Sequence, residues 1–184
     1  MDNMLKDCKT YYGAIDIGSN AVRLLIKCVE EDEQGKVFFS KVLLLRVPLR
    51  LGFDVFAMGK ISETKEKNML RLMKVFHHLM KIYDVEDYRA CATSAMRDAK
   101  NGKDIIKRIK KKTGIRIEII DGQEEAKMIY NNHIECMEDR NGNYMYVDVG
   151  GGSTEINLLS QGELVCSRSY TVSYTHLRAH ETDS

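Results

Sequence analysis

The sequence predicts an α/β fold: a mixed sheet built in the order βββαβαβ and flanked by helices, followed by the first strands of a second similar domain. Three observations carry this. Short apolar segments with turn residues between them open the chain. Helical and strand patterns alternate through its middle. The strand–turn–strand pattern of Tyr11–Ile26 then returns at Tyr144–Asn157. Aligning Asp16 with Asp148 also aligns Gly18 with Gly150, an offset of 132 residues. That is too long for a solenoid repeat and about one domain length.

Taken in order, residues 1–10 are polar, as frayed termini are. Tyr12–Ile17 reads as a strand, Gly18-Ser19-Asn20 as a turn, and Ala21–Val29 as a second strand. After the acidic turn Glu30–Gly35, Val37–Val47 makes a third strand. Pro48, which cannot donate to a ladder, ends this meander. Arg50–Asp54 reads as a loop. Ser62 is a candidate N-cap for a helix to about Tyr83, with Met69, Leu72, Met73, Phe76, Leu79, Met80 and Tyr83 at helical spacing. That methionine-rich stripe reads as core packing. His77 and His78 are adjacent, so they diverge and form no chelating pair.

Tyr88–Thr93 reads as a strand, and Ser94–Arg97 turns into a helix. Lys103–Lys112 is helical, with Ile105, Ile106 and Ile109 on one face and Gly114 as its stop. Its basic run Lys107–Lys112 reads as a solvated face, with contact to an anionic polymer as the alternative. Ile115–Ile120 alternates as a strand, Asp121-Gly122 turns the chain, and Gln123–Met137 is helical. Asp139–Asn143 is a loop, and the second Asp-x-Gly strand follows. Ser173–Ser184 shows no period and no apolar face, and is expected not to be native to this fold.

At 184 residues, 43% hydrophobic and 30% charged, the chain can bury a core and stay soluble. Its net charge of +1 argues against an electrostatic nucleic-acid binder. Five scattered cysteines contain no C-x-x-C pair and fit a reducing compartment. No apolar run approaches the roughly 18 residues that a membrane helix needs. No signal peptide is visible, so the expected compartment is the cytoplasm.

The chemistry concentrates at the two turns. An aspartate ending a buried strand is costly unless its charge is used. Glycines after it let backbone N–H groups approach a ligand and form an anion nest. A carboxylate beside such a nest makes sense where a divalent cation bridges it to phosphate. Asp16 with Gly18-Ser19-Asn20, and Asp148 with Gly150-Gly151-Gly152-Ser153, would then be two jaws on one phosphate chain. An ordinary hairpin with a capping aspartate is the favoured reading of either turn alone; for the matched pair it stays the alternative, since chance rarely duplicates both strand context and turn. Glu124 and Glu125 open a helix. They suit its dipole, or one of them orients a water for attack on phosphorus. Arg97 is a surface arginine or a bidentate anion ligand. Glu155 points toward metal or water, or pairs across the sheet.

The two Asp-x-Gly turns resemble those of the actin, sugar-kinase and heat-shock-chaperone superfamily of phosphate-binding proteins. Within it, five stretches are similar to the exopolyphosphatase and guanosine pentaphosphate phosphohydrolase (Ppx/GppA) family, in that family's order. They are Ala14–Asn20, Arg50-Leu-Gly52, Ala92–Arg97, Ile117–Ala126 and Val147–Glu155. The resemblance implies a ribonuclease H-like fold. It makes residues 11–122 a first actin-like ATPase-type domain and 123–172 a linking helix with the truncated start of a second. Residues 173–184 are the tail.

It also implies Mg²⁺-dependent hydrolysis of terminal phosphates from polyphosphate, or from guanosine pentaphosphate. Glu125 would be the catalytic base. Asp148 and Glu155 would lie near the metal. Asp16, Gly18, Ser19, Asn20, Arg97, Gly150, Gly151, Gly152 and Ser153 would bind phosphate. The expected partners are polyphosphate or a guanosine polyphosphate, with no nucleic acid and no membrane, and a homodimer in a full-length form. Phe53 departs from the pattern, standing where many members carry an acidic residue. ATP-dependent phosphotransfer of the sugar-kinase type and non-catalytic phosphate or nucleotide binding are the alternatives.

Overall fold

The computed structural model describes residues 9–32, 34–125, 127–128, 142–149, 153–161 and 163–171. Strands β1 (Lys9–Ile17), β2 (Val22–Glu31) and β3 (Val37–Val47) form an antiparallel meander. Helices α1 (Leu51–Met58) and α2 (Glu63–Ile82) follow, then β4 (Val85–Ala92), α3 (Ser94–Asp98), α4 (Gly102–Thr113) and β5 (Glu118–Ile119). The sheet order is β3-β2-β1-β4-β5, with β4 parallel to β1 and β5 parallel to β4. This is the mixed, ribonuclease H-like sheet that the sequence predicts. A separate antiparallel sheet comprises β6 (Asn143–Val149), β7 (Ser153–Ser160) and β8 (Glu163–Thr171).

Alternation sets the inner face of the larger sheet. Ile15 and Ile17 of β1, Leu24 and Ile26 of β2, and Ala90 and Ala92 of β4 are buried. Met69, Met73 and Phe76 of α2 and Ile105 and Ile109 of α4 complete one core with them. Each large side chain buried to this degree contributes about 1.5–3 kcal/mol. The methionine stripe of α2 is therefore core packing. Ser62 caps α2, its Oγ accepting from the Lys65 N–H at 3.4 Å. Gly114 ends α4 in the left-handed region at φ 76, where a side chain would be strained.

Four expectations change. Residues 50–54 are not a loop: α1 begins at Leu51, after Arg50 turns the chain at φ 52. Leu51 and Val55, one helical turn apart, bury into the core and hold it. The strand expected over Ile115–Ile120 pairs over two residues only, although Ile115 and Ile117 are buried as its alternation requires. β1 starts earlier, at Lys9, because Lys9 and Thr10 pair with Glu30 and Val29. β4 likewise starts at Val85, since Tyr11 pairs with it. The helix expected over 123–137 is observed from 122 to 125 and at 127–128; its remainder and the tail 173–184 lie outside the described residues.

Candidate functional site

Three segments converge at one edge of the large sheet. Ile17 and Ala92 are paired at the C-terminal ends of the parallel strands β1 and β4. The Thr93 N–H donates to the Ile17 carbonyl at 3.2 Å, and the Ile120 N–H to the Ala92 carbonyl at 3.0 Å. The turn after β1, the start of α3 and the helical start at 122 therefore leave the sheet together. In open α/β sheets this is the edge at which ligands bind.

The turn after β1 is latched on two sides. Inside it, the Gly18 N–H donates to Ala21 at 3.1 Å. The hydroxyls of Ser19 and Ser94, both buried, lie 2.7 Å apart. From α1, the Gly52 N–H donates to the Ser19 carbonyl and the Arg50 N–H to the Asn20 carbonyl, each at 2.8 Å. Gly52 must be a glycine, since a Cβ there would sit 2.9 Å from Ser19 Cβ and 3.0 Å from the Phe56 ring. The backbone N–H groups of Ser19 and Asn20 have no acceptor among the described residues. They are the donors of this turn suited to an anion.

Asp16, predicted as a strand-end carboxylate, is half-exposed rather than buried. Arg23, its cross-strand partner, donates to it at 3.1 Å. Burial pushes up the thiol of its other neighbour, Cys91. Arg97 donates to the Ile120 carbonyl at 3.2 Å and lies 3.6 Å from Asp98. It braces the point where the chain leaves β5 for the next helix.

That helix start separates two adjacent glutamates. Asp121 caps it, its carboxylate accepting from the Glu124 N–H at 2.8 Å and its carbonyl from the Glu125 N–H at 3.0 Å. The Glu124 carboxylate grips Arg89 of β4 at 2.7 Å, and Arg89 also holds Glu118 at 3.1 Å. These bonds, that of Glu124 first, raise the Arg89 pKa. Glu124 is thus a tether to the sheet, and half-buried Glu125 is the next residue along.

The second hairpin repeats the first. Shifting the pairs of the β1–β2 ladder from Tyr11–Cys28 to Ile17–Val22 by 132 residues gives the pairs of the β6–β7 ladder: Ile17 with Val22 becomes Val149 with Thr154, and Asp16 with Arg23 becomes Asp148 with Glu155. The match extends to an irregularity. The β2–β3 ladder shifts register between Ile26 and Lys27, and the β7–β8 ladder between Leu158 and Leu159, the equivalent positions. Asp148, Ser153 and Glu155 are described through their backbone, and Gly150, Gly151 and Gly152 lie outside the described residues. Among the described residues no three His, Cys, Asp or Glu side chains cluster around a metal position, and no helix is long and apolar enough to cross a membrane.

Sequence reasoning missed two features. One is the role of Ser94, whose only local signal is a hydroxyl between a strand and a helix. The other is the corner of α1 and α2. There Asp54, 6% exposed, accepts from the Ser62 N–H at 3.0 Å and pairs with Lys65 at 2.6 Å. Burial alone would raise the Asp54 pKa, but the hydrogen bonds from Lys65 and Ser62 outweigh it and the pKa is lowered. Lys65 also donates to the Arg50 carbonyl and sits 5.5 Å from the centre of the Phe53 ring. Phe53 is therefore a lid on this corner, and the latch of the Ser19 turn is built on it.

A model of the Ppx/GppA phosphatase family matches residues 28–177. A bifunctional 3-dehydroquinate synthase/phosphatase of Fusobacterium nucleatum is 33% identical over 148 residues, covering 79% of this chain and 22% of that one. Exopolyphosphatase 1 of Mycobacterium tuberculosis is 28% identical, covering 79% of this chain and 41% of that protein. Among solved structures, the Aquifex aeolicus member of the Ppx/GppA family superposes with a TM-score of 0.78 at 27% identity, over 96% of this chain and 56% of that one. An exopolyphosphatase from Cytophaga hutchinsonii gives 0.81 at 26% identity, over 94% and 54%. The chain spans about half the length of these relatives, or less.

Proposed function

This chain belongs to the Ppx/GppA phosphatase family, and from that premise we propose that it supplies the phosphate-gripping half of a phosphoanhydride hydrolase. The substrate is inorganic polyphosphate or guanosine pentaphosphate, and the compartment is the cytoplasm. The observation that carries the reading is the convergence of the latched Gly18–Asn20 turn and the Glu124–Glu125 helix start at one sheet edge. The N–H groups of Ser19 and Asn20 hold phosphoryl oxygens, and the guanidinium of Arg97 adds positive charge at the same edge. Glu125 accepts a proton from a water as its oxygen attacks the terminal phosphorus. The terminal anhydride P–O bond breaks, giving orthophosphate and a chain shorter by one phosphate. The second turn, Asp148–Ser153, grips the same chain from the other repeat.

The residue types of the second hairpin suit a divalent cation. In the first repeat an arginine faces Asp16; on the equivalent rung Glu155 faces Asp148. Two acidic residues on one rung are destabilising without a countercharge. Asp148 and Glu155 would hold Mg²⁺, which when bound neutralises phosphoryl charge.

The test is phosphate release from tripolyphosphate, long-chain polyphosphate and guanosine pentaphosphate. It is run on this chain and on a form extended to the length of its relatives. Release by the native form and loss in Glu125→Gln with binding retained support the reading. Turnover retained in Glu125→Gln removes that residue from the chemistry. Phosphorylation of an added acceptor from ATP would point to a phosphotransferase instead.

A further inference from the structure

α4 carries its positive charge in a way that its own stability does not explain. Lys103, Lys107, Lys110 and Lys111 fall at i, i+4, i+7 and i+8, so they form one stripe, and all four are exposed. The buried Ile105 and Ile109 occupy the opposite face. Lysines in the last turn suit the helix dipole, but Lys103 in the first turn opposes it. Lys103–Lys107 and Lys107–Lys111 are like-charge pairs at four-residue spacing, which destabilise a helix. The nearby acidic groups do not compensate. Asp104 lies 3.6 Å from Lys107, and Glu66 is engaged with Arg108. Lys103, Lys110 and Lys111 have no acidic partner among the described residues.

The stripe also has a direction. α4 begins four residues after α3 ends, at the sheet edge that holds Ser94 and Arg97, with Gly102 packed against the Met96 carbonyl. From there its twelve residues run about 18 Å away from that edge.

We propose that this stripe is a track for the distal part of a linear polyanion whose terminal phosphate lies at the Ser19 turn. The inference rests on the hydrolase reading for its ligand class. It adds a second binding surface that favours long chains of phosphate over short ones or a nucleotide. Lys103, Lys107 and Lys111 recur about every 6 Å along the helix, with Lys110 beside the last, and their ammonium groups meet a flexible row of charges without fixing its register, as lysine does with phosphate.

The test combines Lys103→Gln, Lys107→Gln, Lys110→Gln and Lys111→Gln. Glutamine keeps helix propensity, and a matching set of arginine substitutions keeps the charge. Binding of long-chain polyphosphate is measured against salt, beside phosphate release. The glutamine form should bind it roughly ten- to a hundred-fold more weakly, with the slope of log affinity against log salt reduced by about 3, near 0.7 for each lost contact. The arginine form should match the native chain, and tripolyphosphate should bind all three alike. Unchanged long-chain affinity overturns the track, as does an equal loss for tripolyphosphate or a loss confined to an RNA oligonucleotide. If the native chain binds long polyphosphate in this manner but neither it nor the form extended to the length of its relatives releases phosphate, the hydrolase reading falls and the track stands.

Discussion

The hydroxyls of Ser19 and Ser94 meet at 2.7 Å, both out of solvent, and join two loops 75 residues apart in sequence. Either alanine substitution leaves the other hydroxyl buried without its partner, at a cost of about 1–3 kcal/mol. Ser19→Ala with Ser94→Ala together should cost clearly less than the sum of the two. Urea unfolding of the three variants closes this cycle. Additive losses would mean that the contact is incidental.

Gly52→Ala should loosen the same turn from the opposite side. Its Cβ meets Ser19 Cβ at 2.9 Å, and the two cannot both stay in place. A loss of about 1–3 kcal/mol is expected, as for other overpacked positions. Tripolyphosphate affinity should fall with it, since the displaced groups carry the Ser19 and Asn20 donors. Calorimetric titration of the folded variant reads the second effect independently of the first.

Asp54 gives the corner a pH dependence of known sign. Its pKa lies below the ordinary aspartate value of 3.8. Its contribution is therefore present above that value and is lost as pH falls below it through the folded pKa. At neutral pH Asp54→Asn should destabilise by about 1–3 kcal/mol, because Lys65 and the Ser62 N–H lose a charged acceptor. The gap between native and variant stability should narrow below pH 3.8. A gap that stays constant down to the acid transition would rule out this origin.

Arg89→Gln separates tethering from stability. The Arg89–Glu124 bond is exposed, so the melting temperature should barely move. The helix start that carries Glu125 should lose its anchor, and kcat should fall more than KM rises. An effect on KM alone would place Arg89 in binding rather than positioning. Glu125→Gln should lower kcat by about 10²–10⁴-fold, the range for loss of a general base.

Chelation tests the second hairpin. Removing divalent cations should abolish phosphate release, and Mg²⁺ should restore it. Asp148→Asn or Glu155→Gln should shift the Mg²⁺ requirement upward while leaving the unfolding of the five-stranded sheet unchanged. Activity insensitive to chelation would dissociate these residues from a metal.

Local patterns proved reliable where local physics decides the outcome. The β1–β2 hairpin, the Ser62 cap and the Gly114 stop were legible because alternation, a capping hydroxyl and a left-handed glycine act within a few residues. The duplication was legible for the same reason, and the shared ladder shift after Ile26 and Leu158 goes beyond what the letters displayed. The segment Arg50–Asp54 misled. Its glycine looks like a loop signal, yet it serves a close approach to Ser19, and its aspartate finds a partner only in the following helix.

From its letters alone this chain reveals two copies of a strand, turn and strand, together with the acidic and glycine residues at each turn, because strand period and turn chemistry depend on near neighbours. Which groups meet was decided by the sheet. The parallel pairing of β1 with β4 brings Ser94 to Ser19. The packing of α1 brings Gly52 beside Ser19. The return through β5 brings Glu124 to Arg89 across 35 residues. Contacts of that span depend on the free energy of burying a whole core, which no short window of sequence contains.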